Sequence, residues 1–335
     1  MSRFLLAALG VLLCAVAPAQ AQTPVRFTND WIFDGTTAWI LRTEAKGYFA
    51  REGLAVTIDR GFGAGDAVIK VASGAYQMGF GDVSALINYN ATHPERPLIG
   101  IMMIYDKAAF SVITLTDKNI RTLADLSGRK MAVLANEPMT RLLPALGRLN
   151  GFDANKVALQ NVNPQIRDTL LRSGEVDAVI GFFATTLLNL EGNGVPQDKV
   201  RVFKYSDYGI DFYGSTIVTS AAYAAENPKI IAGFVNALTH GLSEAIKDPA
   251  DAIPAIKARN DLVDEGLERR RLEMVLNGMV VTPYTKANGF GNIDESRLAK
   301  QIDFISEALE LPQKPAVASI FTPKFLPPAA QRQVQ

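Results

Sequence analysis

Residues 46–82 read Lys46-Gly47-Tyr48-Phe49-Ala50-Arg51-Glu52-Gly53-Leu54-Ala55-Val56-Thr57-Ile58, then Gly61-Phe62-Gly63-Ala64-Gly65-Asp66, then Val71-Ala72-Ser73-Gly74, then Met78-Gly79-Phe80-Gly81-Asp82. The order is helix, strand, glycine loop, helix, strand, loop. Apolar positions change from alternating in 54–58 to helical spacing at Val68, Val71 and Ala72, the two periods that separate strand from helix. Such alternation builds a parallel α/β sheet whose loops gather at one edge. Asp66 and Lys70 stand four apart, a helical ion-pair spacing.

Outward from this unit the pattern repeats. A first strand is expected over 25–28 and a helix from Thr36 or Thr37 to Gly47, with a helix over 83–89. The almost unbroken apolar run at 98–105 reads as a strand central in its sheet. A crossing near 106–110 leads into a second βα series, with strands at 130–134, 157–162, 178–182 and 200–205. A return strand follows at 214–219, and after it the chain is helical to about residue 309. If the return strand rejoins the first sheet, two crossings form a hinge between lobes, and hinge closure traps small ligands. The expected organisation is therefore 1–21 leader, 22–106 with 214–315 as lobe one, 107–213 as an inserted lobe two, and 316–335 as a frayed proline- and glutamine-rich tail.

The 335 residues are 48% hydrophobic and 20% charged, enough apolar material for two cores, and Lys+Arg balances Asp+Glu at 34 each. That balance gives no pull toward nucleic acid or an anionic membrane surface. Arg3, the apolar run 4–16 and Ala19-Gln20-Ala21 read as an export signal cut before Gln22. The run falls short of the ~20 residues of a membrane span. The only cysteine, Cys14, lies inside it, so the mature chain has no thiolate chemistry and no disulfide.

Several of these motifs resemble the solute-binding proteins of ABC importers, in particular the NMT1/THI5-like group that includes the SsuA, TauA and ThiY types. Lys46-Gly47-Tyr48-Phe49, Glu52-Gly53-Leu54-Ala55-Val56, Val71-Ala72-Ser73-Gly74 and Gly79-Phe80-Gly81-Asp82 carry the likeness, continued by Glu175-Val176-Asp177-Ala178-Val179, Asp207-Tyr208-Gly209 and Tyr213-Gly214. The resemblance implies a type II periplasmic-binding-protein fold, a ligand cleft between lobes, a periplasmic location, and docking as a monomer to a membrane permease. Solutes in the group are sulfonates, taurine, nitrate-like anions and thiamine pyrimidine precursors. It also includes pyrimidine synthases that use histidine and a cysteine-rich motif with iron. No cofactor is expected here, because the mature chain has no cysteine and only two histidines, His93 and His240, without carboxylates at ligand spacing.

The candidate site residues are all at expected strand ends or in the loops that follow. Gly61, Gly63 and Gly65 would bring a ligand to amides at a helix start, where anions are favoured. A tight turn explains them equally, and G-x-G-x-G is not the G-x-G-x-x-G of a dinucleotide site. Asp66 puts a carboxylate there, which favours a neutral or N–H-rich ligand over a sulfonate. Trp31, Phe62, Phe182, Phe183, Tyr208 and Tyr213 offer flat rings for stacking, with Trp31 foremost. Asn29, Asp30, Asp82, Asn136, Glu137, Thr140 and Asp207 offer hydrogen bonds, although helix capping accounts equally for Asp82 and Thr140. Arg141 could meet a carboxylate or sit in solvent. The expected ligand is a small flat heterocycle of the thiamine-pyrimidine kind, with a sulfonate-type anion as the alternative.

Overall fold

The computed structural model describes residues 21–135 and 137–334; the leader, Cys14 and Asn136 lie outside them. Among these residues ten strands form two five-stranded sheets. They are β1 (Thr23–Thr28), β2 (Leu54–Asp59), β3 (Met78–Asp82), β4 (Leu98–Met103), β5 (Phe110–Leu115), β6 (Lys130–Val133), β7 (Ala158–Asn161), β8 (Ala178–Phe182), β9 (Val200–Lys204) and β10 (Ser215–Ser220). The longer helices are α1 (Ala38–Ala45), α2 (Ala64–Ala72), α3 (Val83–Thr92), α4 (Leu143–Asn150), α5 (Pro164–Ser173), α6 (Phe183–Gly192), α7 (Pro228–Lys247), α8 (Glu265–Val275) and α9 (Glu295–Ala308).

The first sheet runs β2-β1-β3-β10-β4 and the second β7-β6-β8-β5-β9. The βα alternation makes β2, β1 and β3 parallel, as it does β7, β6 and β8. Both sheets nevertheless are mixed. The return strand β10 inserts antiparallel between β3 and β4, and β5 lies antiparallel between β8 and β9. One crossing joins β4 of the first sheet to β5 of the second, and the other returns from β9 to β10. The two crossings run side by side, tied by Gly214 N–H to the Tyr105 carbonyl (2.9 Å) and Ala108 N–H to the Phe212 carbonyl (2.8 Å).

The Gly79-Phe80-Gly81-Asp82 motif has a local cause. A side chain at Gly79 would stand 2.9 Å from Val71 Cγ2, and one at Gly81 2.7 Å from Val68 Cγ2. The two glycines let α2 lie directly on β3, while Phe80 turns into the first core between Trp39 and Tyr105, with centroids 5.8 and 5.1 Å away. Such edge-on aromatic contacts are favourable beyond the area they bury.

Two expectations fail together. The apolar strand at 98–105 is not central: β4 (Leu98–Met103) is the edge of its sheet. The tail expected to fray is what covers that edge. Phe321 bridges to Gly100, and Gly291 to Met103. Phe325 and Val334 are buried in the first core, and buried Arg332 bonds the carbonyls of Pro327 and Phe290. An edge strand needs a cover; here a proline-rich segment supplies it, so composition alone misread both elements.

Candidate functional site

The site is assembled where the ends of β1 and β8 face each other. Backbone bonds zip the loop after β1 to the glycine loop: Gly61 N–H donates to the Trp31 carbonyl (2.8 Å) and Gly63 N–H to the Asp30 carbonyl (2.7 Å). Contact is so close that a side chain at Gly61 would lie 2.1 Å from the Asn29 carbonyl oxygen. Gly63 adopts φ +139°, a conformation that favours glycine. The result is a fixed ledge bearing Asp30 and Trp31. Asp34 caps the short 3₁₀ turn beyond it, accepting from Thr36 N–H at 2.9 Å, and the buried Tyr105 hydroxyl donates to the Thr36 carbonyl at 3.2 Å.

Opposite stand residues of the second sheet. Leu134 and Glu137 follow β6, Met139 and Thr140 form a one-turn helix, Ile180 and Phe182 end β8, Arg167 comes from α5 and Thr185 from α6. Together with Asp30, Trp31, Thr36, Gly63 and Ala64 they line a small cavity of ≈ 30 Å³. Its walls are largely apolar, yet four buried polar atoms have no hydrogen-bond partner in the protein: Asp30 Oδ1, Trp31 Nε1, Glu137 Oε1 and Thr140 Oγ1. Buried polar groups are ordinarily paired, so four unpaired at one cavity mark a surface built for a ligand.

The charges are arranged unevenly. Arg167 is the cation of the lining, and it is already engaged. Its Nε meets Asp168 Oδ1 at 2.8 Å, its Nη2 donates to Thr186 Oγ1 at 2.8 Å, and its guanidinium lies 5.4 Å from the Trp31 ring centroid across the cleft. Burial works to raise the Asp168 pKa, but the Arg167 charge and hydrogen bond hold it below the usual carboxylate range. The carboxyls on the cavity are not neutralised in this way. Burial, reinforced by the charges of Asp34 and Glu137, pushes Asp30 well above its ordinary value. Burial raises Glu137 to about 7, with Asp66 adding to the rise and the Gly65 and Ala64 amides and Arg167 opposing it. Neighbouring Asp82 is raised by burial to about 8 against the pull of the Ser84 and Ala85 amides.

Carboxyls with raised folded pKa values take up protons on folding. They favour the fold at low pH and lose that contribution as pH climbs from the unfolded value near 4 through the folded values. The carboxylates with lowered pKa act in the opposite sense, below the same starting point. Urea unfolding of the ligand-free protein should therefore show stability falling by about 1–3 kcal/mol between pH 5.5 and pH 8. A stability that rises across this interval would contradict burial of these three carboxyls.

Of the residues expected from sequence, Asp30, Trp31, Gly63, Glu137, Thr140 and Phe182 come together at the cavity. Among the described residues, the others do not line it. Asn29 lies beneath the ledge, its amide donating to Thr37 Oγ1 at 2.8 Å. Phe62 turns outward between Gly61 and Gly63, is 44% exposed, and lies under Arg60 and Lys70. Asp66 points away along α2 and pairs with Lys70 at 3.0 Å, the spacing expected of it. Asp82 caps α3, accepting from Ser84 N–H at 2.7 Å. Phe183 packs on the first core with the Lys204 ammonium 4.4 Å from its ring. Asp207 is exposed and Tyr208 packs on Phe203. Tyr213 is fully buried and its hydroxyl accepts from Asp294 N–H at 2.8 Å. Arg141 is exposed.

Sequence reasoning missed Arg167, Thr36, Thr185, Leu134, Met139, Ile180 and Ala64. Arg167 comes from within α5, away from the strand ends and loops where the candidates were sought. A signal was present in Gly181, whose absent side chain would lie 2.7 Å from Arg167 Nη1, but a strand glycine does not say what fills its space.

Among the described residues no cluster of three or more His, Cys, Asp or Glu is placed to hold a metal, and no helix is long and apolar enough to cross a membrane. The described chain is similar to known proteins over most of its length. It is 25% identical over 312 residues to the formylaminopyrimidine-binding protein of Halalkalibacterium halodurans, covering 89% of each chain. It is 24% identical to the riboflavin-binding protein RibY of Chloroflexus aurantiacus, covering 84% of this chain and 80% of that one. The alkanesulfonate-binding protein SsuA of Xanthomonas axonopodis superimposes with a TM-score of 0.70 at 14% identity, over 91% of this chain and 99% of that one. That likeness is one of fold, the two-lobed α/β architecture of type II periplasmic binding proteins. The family described as NMT1/THI5-like matches residues 36–252, and with the fold and the cleft in agreement the chain belongs to it.

Proposed function

We propose that this protein is the exported solute-binding subunit of an ABC importer, and that its ligand is a small flat heterocycle rich in N–H donors, of the aminopyrimidine kind. It would work as a monomer in the periplasm and pass its ligand to a membrane permease, without turning it over. The observation that carries this reading is the set of four unpaired polar atoms on one apolar cavity. Two of them are carboxylate oxygens, which accept; a protonated ring nitrogen or exocyclic amine donates. Trp31 and Phe182 line the same space, and Trp31 Nε1 and the Thr140 hydroxyl can donate to ring acceptors. An anion would instead meet two uncompensated carboxyls, while the one lining cation is satisfied by Asp168.

The names of the Halalkalibacterium and Chloroflexus relatives support a nitrogen heterocycle, and the binding role in both names supports a protein without turnover. The missing cysteine of the mature chain supports the same. Calorimetric titration with formylaminopyrimidine is the direct test, with methanesulfonate as the anionic comparison. Saturable binding of the pyrimidine alone is expected; tighter binding of methanesulfonate, or conversion of the pyrimidine to a product, would sink the proposal. Trp31→Ala should weaken pyrimidine binding by about 10- to 100-fold, the worth of one ring stacked on a base. An unchanged affinity would remove stacking from the mechanism.

A further inference from the structure

We propose that the Glu137 carboxylate is a built-in counter-anion, seated from the second lobe on the N-terminus of α2, where it excludes anionic ligands from the cavity. The inference deepens the functional reading above, since it names the residue that sets the sign of the ligand. A helix start presents amides without intrahelical partners and a partial positive charge. In α2, nine residues long, these are the amides of Ala64 and Gly65, and the backbone here is exposed by Gly63. That position is ready-made for an anion. The protein fills it with its own side chain: a side chain at Gly63 would lie 2.0 Å from Glu137 Oε1, so the glycine is what gives the carboxylate access.

Glu137 is only 4% exposed, although it comes from a loop of the opposite lobe. Its Oε1 has no partner in the protein and its residue lines the cavity, so one carboxylate serves two surfaces. It lies over the helix start, where the Gly65 and Ala64 amides favour its charge, and leaves an acceptor for the ligand. The charged groups near it are Asp30, Asp82 and, turned along α2 to Lys70, Asp66 from the first lobe, and Arg167 from α5. Three of the four are acids, which adds to the exclusion of anions, and Arg167 is occupied by Asp168. Removing the Glu137 side chain uncovers the helix start.

The test is titration of the mature protein with methanesulfonate. Glu137→Ala should bind it about tenfold more tightly than the unaltered protein. Glu137→Gln, which removes the charge but keeps a side chain over the start of α2, should gain in the same direction by a smaller factor. Should Glu137→Ala fail to fold, the unaltered protein supplies the answer: its methanesulfonate affinity should rise as pH falls from 8 to 5 and the carboxyls protonate. Methanesulfonate affinity that is the same in Glu137→Ala, or flat with pH where that variant does not fold, would overturn the proposal. Formylaminopyrimidine separates the two readings. Loss of pyrimidine binding by the unaltered protein with a methanesulfonate gain in Glu137→Ala refutes the ligand and upholds the counter-anion. Pyrimidine binding without that gain does the reverse.

Discussion

Replacing Asp30 with alanine should weaken formylaminopyrimidine binding by about 10- to 150-fold, the worth of one hydrogen bond to a charged acceptor, about 1.5–3 kcal/mol. Asp30 is 3% exposed, and its Oδ1 has no partner in the protein. Its backbone is pinned by Gly63, so the carboxyl cannot swing away when the ligand is absent. The same change should move stability the other way. Burial together with the charges of Asp34 and Glu137 makes the ionised form costly, and deleting it relieves a cost that only a donor from the ligand offsets. Asp30→Asn in the ligand-free protein should therefore unfold at a higher urea concentration than the unaltered chain, while binding less well. This pair of opposite signs is what separates a ligand-binding acid from a structural one, because a structural acid loses stability when neutralised. Binding of the alanine variant within twofold of the unaltered protein would dismiss Asp30 as the acceptor.

The same carboxyl shows where sequence is legible and where it stops. The glycine loop, the βαβ unit and the ledge at Asp30-Trp31 can be read directly, because turn chemistry and period are local. The argument that a carboxylate at the glycine loop disfavours anions attached itself, in the sequence, to Asp66. In the fold Asp66 faces along α2 to Lys70, and the carboxyl at the helix start is Glu137, which arrives from the other sheet. No spacing rule links residue 137 to residue 63, since their meeting depends on how the two lobes close. Tyr213 fails for the opposite reason. It does lie at a crossing, but its ring faces inward under Arg297 at 4.2 Å. A strand-end aromatic is apolar enough for either side, and only packing against α9 decides. The edge strand β4 was misjudged because its cover lies more than two hundred residues away.

Closure itself rests on one buried cation. Arg271 of α8 lies between the lobes: its Nη1 donates to the Thr185 carbonyl at 3.0 Å and to Asn189 Oδ1 at 2.9 Å on α6, while its Nε meets Glu268 at 3.0 Å and its Nη1 lies 3.6 Å from Asp34. Glu268 in turn accepts from Gly35 N–H at 2.5 Å, where the backbone approaches α8 too closely for any side chain. Thr36 and Thr185, on either side of this knot, both line the cavity. Removing the guanidinium leaves Asp34 and Glu268 buried without a countercharge, and breaking such a pair costs about 3–5 kcal/mol. Arg271→Met should lose that much stability in urea unfolding. It should also scatter X-rays as a more open molecule, since α6 loses its two donors from α8. The exposed Arg270–Glu191 pair beside it cannot substitute, because a solvent-screened pair is worth at most about 1 kcal/mol. Adding Asp34→Asn and Glu268→Gln to Arg271→Met removes the orphaned charges and should recover more than half of the stability without restoring closure. If the triple variant is as unstable as the single one, the loss comes from the missing hydrogen bonds to α6 and not from uncompensated charge.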